Sequence, residues 1–494
     1  MNLLIRADAS ALIGTGHIMR TLALAQAWQS LGGEISYTVS ECPAGLLGRL
    51  QNEKCSVSLI GTVEAGSVED AGATIEAAER IGAQRVVVDG YQFGPSFQTQ
   101  LIEAGLKVLL LDDCGHYSNY PADLVLNQNS YADESLYPHR NEHTKLLLGS
   151  RFVLLRREFL ESERPNRDGE KAPERILVTV GGSDPHNATR TILRALNLWT
   201  ERKLKVRVLI GAGFNDDCFE AEVDRGKHDI ELIKETVDMP GQLNWADVAI
   251  TAAGSTIWEC LYLRVPFAVL TVSENQEANA ADLQRAGSAI YLGSCQTGLS
   301  ESDILSSINE LLVNPEKNRC GQIDVDGFGT NRVIAELRGD RIWLRQATGD
   351  DCRLLWEWAN DPAVRSASFN QEEIPWEDHV KWFQIRMADE HSRSYIAINE
   401  NEQAIGQIRF DRVDGRTQIG FSLDFKARGQ SLGVDLIKLG TEKFRSEGFR
   451  DDLHAWAKSA NISSQKAFVR AGYETAGEEE VNGAKANHFV AKAS

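Results

Sequence analysis

Along the first 130 or so residues, short apolar runs alternate with stretches of helical spacing. Met1–Ala7, Glu34–Val39, Ser56–Ile60, Arg85–Asp89, Lys107–Asp112 and Asp123–Leu126 carry the Val, Ile and Leu content of strands buried on both faces. From His17 the apolar positions fall at Ile18, Leu22, Ala25, Trp28 and Leu31, which is a helix. Val68–Ile81 and Pro95–Ala104 read the same way. Strand followed by helix, repeated, predicts a doubly wound α/β domain.

Glu161–Arg175 is polar, charged and contains two prolines, the composition of a linker. Beyond it the order starts again. Ile176–Val180 is a strand, Gly181–Pro185 a Gly-rich loop, and Asn187–Trp199 a helix. Asp247–Thr251 runs through Ala252-Ala253-Gly254-Ser255 into a helix holding Glu259, and Pro266–Val272 is a further strand. Residues 301–338 are helical, with a break near Pro315–Gly329. From Asp340 the pattern changes. Ile342–Arg345, Ser394–Ile398, Ala404–Arg409 and Thr417–Leu423 read as a largely antiparallel sheet, with helices at Asp350–Asn360 and Glu373–Met387. A helix to about Arg445, the strand Asp452–Ala457 and the helix Asn461–Ala471 follow, and Gly472-Tyr473 starts the last strand. The expected domains are residues 1–165, 172–338 and 340–494.

Composition narrows the function classes. A net charge of −19 argues against a nucleic-acid surface, which needs basic patches. Eight scattered cysteines without a C-x-x-C pair signal neither a disulfide framework nor a zinc finger. The start of the chain lacks the form of a signal peptide, and no apolar run reaches 18 residues. A cytoplasmic protein off the membrane is expected, and the oligomeric state is open.

Candidate chemistry collects where strands end. Asp8 to Gly16 is small and polar, and His17 falls in the first turn of the helix behind it. The partial positive charge there disfavours imidazolium, so a neutral ring can serve as a general base. Asp89 and Asp112 end two strands, as helix caps or as site residues. Adjacent Asp112 and Asp113 do not by themselves indicate a metal, and none is expected. Gly181, Gly182 and Ser183 form either a plain tight turn or a phosphate contact. The Arg-Ala-Asp of residues 6–8 followed by Gly-x-Gly-His-x-x-Arg resembles the opening of the UDP-sugar hydrolases of the pseudaminic acid pathway. That resemblance implies that His17 activates water and that Asp8, Gly16 and Tyr91 line the substrate. Asn127, with Asn129, follows a strand on the same rim and is placed to bond sugar amides. The loop before Glu259 resembles the nucleotide site of GT-B glycosyltransferases of the murein lipid-intermediate type. It implies that Glu259 holds ribose hydroxyls, and Asn275 and Gln276 match the family's substrate loop.

Lys426–Gly433 lies between a strand and a helix. With Asn461, Ser464, Phe468 and Gly472-Tyr473, this segment resembles the GNAT acetyltransferases. Arg428, Gly429, Ser431, Leu432 and Gly433 would cradle the pyrophosphate of acetyl-CoA, with Ser431 where relatives carry glycine. Asn461 would contact the pantetheine. Phe468 stands where many relatives have the tyrosine that protonates the leaving thiolate, which leaves the acid open. His379 is a candidate base.

The expected fold is therefore α/β: two Rossmann-like domains in a GT-B-like arrangement plus a C-terminal α+β GNAT acetyltransferase domain. The implied function is hydrolysis of a UDP-linked diacetamido-trideoxyhexose, joined to acetylation of the 4-amino group of its precursor. A GT-B glycosyltransferase fused to a GNAT domain, and a non-catalytic sugar-nucleotide sensor with acetyltransferase output, are the alternatives.

Overall fold

The computed structural model describes every residue except 11, 12, 166, 168–171, 183, 185, 212–221, 224, 225, 235, 314–320 and 494. It contains two compact units, Met1–Trp28 with Glu34–Val333 and Gln29–Gly33 with Ile334–Ser494. Among the described residues, no helix is long and apolar enough to cross a membrane.

The first unit holds two parallel sheets. One comprises β1 (Asn2–Ala7), β2 (Glu34–Val39), β3 (Ser56–Leu59), β4 (Arg85–Asp89), β5 (Lys107–Leu111), β6 (Leu124–Asn127) and β7 (Lys145–Leu148), in the order β3-β2-β1-β4-β5-β6-β7. Val86, Val87 and Val88 are wholly buried, because helices cover both faces and β-branched side chains fill the pleat between them. The helix Val68–Ile81 starts where the Ser67 side chain accepts from Asp70 N and stops at left-handed Gly82. In the register Ala7 lies opposite Asp89, so the strand order reverses between β1 and β4. A parallel sheet opens a crevice at such a point, beyond its strand carboxyl ends.

The second sheet repeats this plan with β8 (Arg175–Thr179), β9 (Lys205–Ile210), β10 (Asp229–Lys234), β11 (Val248–Ala252), β12 (Phe267–Thr271) and β13 (Ile290–Ser294), ordered β10-β9-β8-β11-β12-β13. Its reversal falls between β8 and β11. The linker expected at Glu161–Arg175 lies partly outside the described residues. Of those described, Arg167 donates to the carbonyls of Leu243 and Leu263, so this part of the segment is pinned to the second sheet's helices.

The second unit is built on β14 (Ile342–Gln346), β15 (Arg393–Asn399), β16 (Ala404–Val413), β17 (Arg416–Leu423), β18 (Leu453–Lys458), β19 (Glu474–Val481) and β20 (Ala484–Ala491), ordered β14-β15-β16-β17-β18-β20-β19. All neighbours are antiparallel except β17 and β18. These two pair only at Thr417–Leu453 and Gln418–His454, among the described residues, and then part. The strand begun after Gly472-Tyr473 is not the last: β20 returns beside it through a tight turn at Asn482-Gly483.

Candidate functional site

The crevice between β1 and β4 brings distant residues together. His17, second residue of the helix Gly16–Gln29, points Nδ1 at Asp89 Oδ1, 2.6 Å away. A carboxylate only accepts, so Nδ1 carries the proton and Nε2 keeps its lone pair. Arg20, one helical turn on, clamps the same carboxylate through Nε and Nη2, each at 2.6 Å. Burial alone would raise the Asp89 pKa, but the Arg20 and His17 charges outweigh it and bring it to about 2. Arg20 also donates to both oxygens of Asp113, at 2.8 and 2.9 Å. The Tyr91 hydroxyl donates to Asp113 Oδ2 at 2.8 Å and accepts from Asn275 Nδ2 at 2.7 Å. Partial burial and the Asp113 carboxylate both push that phenol's pKa up. A chain of hydrogen bonds thus runs from His17 through Asp89, Arg20, Asp113 and Tyr91 to Asn275 beyond β12, joining the two sheets' loops.

The Gly-rich loops also meet. A Cβ on Gly182 would sit 3.3 Å from Thr15 Oγ1, next to Gly16, so the two loops pack closely here. Ser183 lies outside the described residues. Gln276 Oε1 accepts from Val272 N, and Gln276 Nε2 would be 3.9 Å from a Cβ on Gly254. That places Gln276 against the loop leading to Glu259. Glu259 Oε1 accepts from Arg156 Nη2 at 2.8 Å. Burial raises the Glu259 pKa to about 7 in spite of Arg156.

Two expected ligand residues make internal bonds. Asp8 is 4% exposed; its Oδ1 accepts from Arg6 and from Ser40 N. Arg6 is wholly buried between Asp8 and Asp70, and an unpaired guanidinium there would be costly. Asn127 is wholly buried, donating to the Tyr137 hydroxyl and accepting from Asn129 N, so its amide is spent internally. Arg20 and Asp113 were not assigned from sequence, and Asp89 stood open between helix cap and site residue. Arg20 was within reach, since i and i+3 share a helix face with His17; Asp89 stands 72 positions away.

In the second unit the loop after β17 leads into the helix Leu432–Ser446. The first amides of any helix lack intrahelical acceptors, which suits an anionic ligand. Ser431 adopts φ 62°, the left-handed region that the expected glycine would enter freely. Gly433 lies against Phe421, 3.3 Å from where a Cβ would be. The Arg428 side chain turns inward to Leu423 O and Asp361. Asn461 Oδ1 caps its own helix by accepting from Ser464 N. Phe468 is core, packed on Phe421 and Phe489.

The reading of His379 as a base does not hold. Its ring is 2% exposed, stacked with Trp376 and Phe383, and Nε2 bonds Cys352 O at 3.0 Å. Burial lowers its pKa, and the ring acts in packing. Another histidine chain emerges where β17 and β18 part. His454 Nδ1 lies 3.0 Å from His488 Nε2, and His488 Nδ1 lies 3.0 Å from Glu479 Oε1. Trp456 stacks on His488 at 4.5 Å and donates to Glu479.

Comparisons with known proteins fit this division. Residues 175–322 match the glycosyltransferase family 28 C-terminal domain, and residues 341–474 match the acetyltransferase (GNAT) domain. An uncharacterized protein of Methanocaldococcus jannaschii is 24% identical over 96% of this chain and 97% of its own. The UDP-2,4-diacetamido-2,4,6-trideoxy-beta-L-altropyranose hydrolase of Campylobacter jejuni is 25% identical over 58% of this chain and 97% of its own. Among solved structures, AAC(6')-Ib in complex with ribostamycin and coenzyme A is 20% identical, covering 31% of this chain and 94% of that one, with a TM-score of 0.28. The chain carries, in one polypeptide, a glycosyltransferase family 28 C-terminal domain followed by a GNAT domain.

Proposed function

We propose that residues 1–165 and 172–338 together hydrolyse a UDP-linked 2,4-diacetamido-2,4,6-trideoxyhexose, of the altropyranose kind handled by the Campylobacter relative. The oriented His17–Asp89 pair, set beside the Tyr91–Asn275 contact, carries this reading. Water attacks the anomeric carbon as the bond to the diphosphate oxygen breaks, inverting the centre. UDP leaves with that electron pair. His17 Nε2 takes the water's proton while Asp89 holds Nδ1–H and offsets the imidazolium charge. Glu259 would hold the ribose and the Gly181–Gly182 loop the phosphates.

Residues 340–494 transfer acetyl from acetyl-CoA to the 4-amino group of the unacetylated precursor. The amine attacks the thioester carbon, the carbon–sulfur bond breaks, and coenzyme A leaves as thiolate. The amine's proton goes to His454. Glu479 fixes the proton on His488 Nδ1, His488 Nε2 accepts from His454 Nδ1–H, and His454 Nε2 is left as the base. Burial, with His488 next to it, lowers the His454 pKa, which keeps the ring neutral. Both reactions would stand in succession in a cytoplasmic route to a pseudaminic-type nonulosonic acid.

The test is the product mixture from the aminated UDP-sugar with acetyl-CoA, read by mass spectrometry without any sugar acceptor. Acetylated free sugar and UDP are expected. UDP release only on adding an acceptor would make the first half a glycosyltransferase. Binding without turnover would make it a sensor.

A further inference from the structure

The loop leaving β5 holds a second cluster, which the hydrolytic chemistry does not use. One ligand atom each from Asp112, Cys114 and His116 lies within 4.8 Å of the other two. Cys114 Sγ is 3.4 Å from His116 Nδ1, and Nδ1 is 3.4 Å from Asp112 Oδ1. A tetrahedral zinc ion, bound at about 2.0–2.3 Å, sets neighbouring ligand atoms roughly 3.3–3.6 Å apart. The two contacts of His116 Nδ1 fall in that range.

Asp112 and His116 are each aimed by groups outside the ligand set. Asp112 Oδ2 accepts from Gly115 N at 2.8 Å and from the Tyr120 hydroxyl at 3.2 Å. Its Oδ1 is buried, has no hydrogen-bond partner and faces His116. His116 Nε2 lies 3.2 Å from the Tyr91 carbonyl, which can only accept. Nε2 therefore carries a proton, and Nδ1 faces Asp112 and Cys114; Asp112 favours a second proton there, which a bound cation would displace. Tyr117 packs on the ring at 3.9 Å. A carboxylate oxygen, an imidazole nitrogen and a sulfur converge, and a cation binding there would replace the protons they share.

We propose that Asp112, Cys114 and His116 bind one divalent cation of the zinc class, leaving a fourth position open. Thiolate and imidazole favour such an ion over magnesium or calcium. The bound ion would tie this loop to the Tyr91 carbonyl, whose own side chain joins Asp113 to Asn275. The site depends on the fold of the loop and not on the reaction assigned to the unit.

The test uses the full chain, stripped with a chelator and titrated with cobalt(II). One equivalent should bind with a thiolate-to-cobalt charge-transfer band, and zinc should abolish the band. Cys114→Ser should lose the band while Cys42→Ser keeps it. His116→Gln should weaken cobalt binding at least about tenfold. The wild-type titration needs no variant to fold. No band in the wild type, or a band that survives Cys114→Ser, would overturn the site and leave an imidazolium–carboxylate pair. Neither result depends on sugar-nucleotide hydrolysis, which is measured separately.

Discussion

Asp89 Oδ1 sits 2.6 Å from His17 Nδ1 while Arg20 grips both of its oxygens, so one carboxylate fixes the tautomer of the histidine and is itself fixed. Asp89→Asn would place an amide where only an acceptor works. UDP release should fall about 10²–10⁴-fold, as should that of His17→Ala. Calorimetric UDP affinity should stay near wild type in both. Because Asp89 sits at about 2 and not its ordinary 3.8, its stabilising contribution is complete above 3.8. It is lost only as pH falls from there towards 2. Thermal melts of wild type and Asp89→Asn should therefore converge in that acid window, and a constant difference between them would refute the pairing.

Glu259 shifts the other way, to about 7 from 4.5. The folded state keeps a proton that the unfolded chain has lost, so its contribution is full below 4.5 and fades as pH rises to 7. Ribose hydroxyls donate best to the ionised form. UDP affinity should rise up to about tenfold between about pH 6 and pH 8, as the ionised fraction grows. Glu259→Gln should show only the shallower slope of the phosphate's own titration. Equal slopes would remove Glu259 from the nucleotide site.

The elements legible in the sequence were those with strong local pattern. Glu34–Val39, Arg85–Asp89 and Val68–Ile81 form over the expected residues. The strands β7, β9, β10 and β13 were not read from the sequence. Lys145–Leu148 is only four residues long, Arg207 interrupts the apolar run of Lys205–Ile210, and Asp229–Lys234 has no wholly buried position. The site was half legible. Gly-x-Gly-His-x-x-Arg set out the histidine and its loop, but a partner 72 residues away leaves no local spacing. The partners of Asp8 and Asn127 were not legible for a physical reason: a polar residue at a strand end faces either the crevice or a buried partner, and only the fold shows that Arg6 and Tyr137 bond them.

Ser431 is a left-handed residue at the start of a helix. That conformation costs a side-chain-bearing residue roughly 1–2 kcal/mol, while glycine gives back roughly 0.4–1 kcal/mol through the unfolded state. Ser431→Gly should thus raise stability by up to about 1 kcal/mol in urea titrations. Acetyl-CoA binding should be unchanged or tighter. Gly433→Asp should abolish that binding, because its Cβ would meet Phe421 and its charge would repel a pyrophosphate held by this loop. A Gly433→Asp chain that binds acetyl-CoA normally would displace the site from this loop.

His454 should reveal itself in the pH dependence of acetyl transfer. It is flanked by His488, Arg416, Asp452 and Lys492. The wild-type rate should rise with pH until the ring is neutral and then level. His454→Gln should lose about 10²–10⁴-fold near neutral pH. Its rate should keep climbing as the substrate amine deprotonates unaided, with KM for acetyl-CoA unchanged. Glu479→Gln, two bonds removed, should cost less. A level profile in His454→Gln would exclude it as the base.

Tyr91 touches groups from both sheets' loops: its hydroxyl donates to Asp113 and accepts from Asn275. Tyr91→Phe removes both bonds and leaves an amide and a carboxylate facing each other without a bridge. Asn275→Ala removes one. If the bridge sets the distance between the His17 side and the nucleotide side, the two changes report one interaction. Their effects on KM for the sugar nucleotide should then be less than additive, with a coupling of about 0.5–3 kcal/mol. Steady-state kinetics of the two single variants and the double variant measure this directly. Strict additivity would mean that Asn275 meets the sugar independently of Tyr91, and the hydrogen bond between them would not contribute to holding the site together.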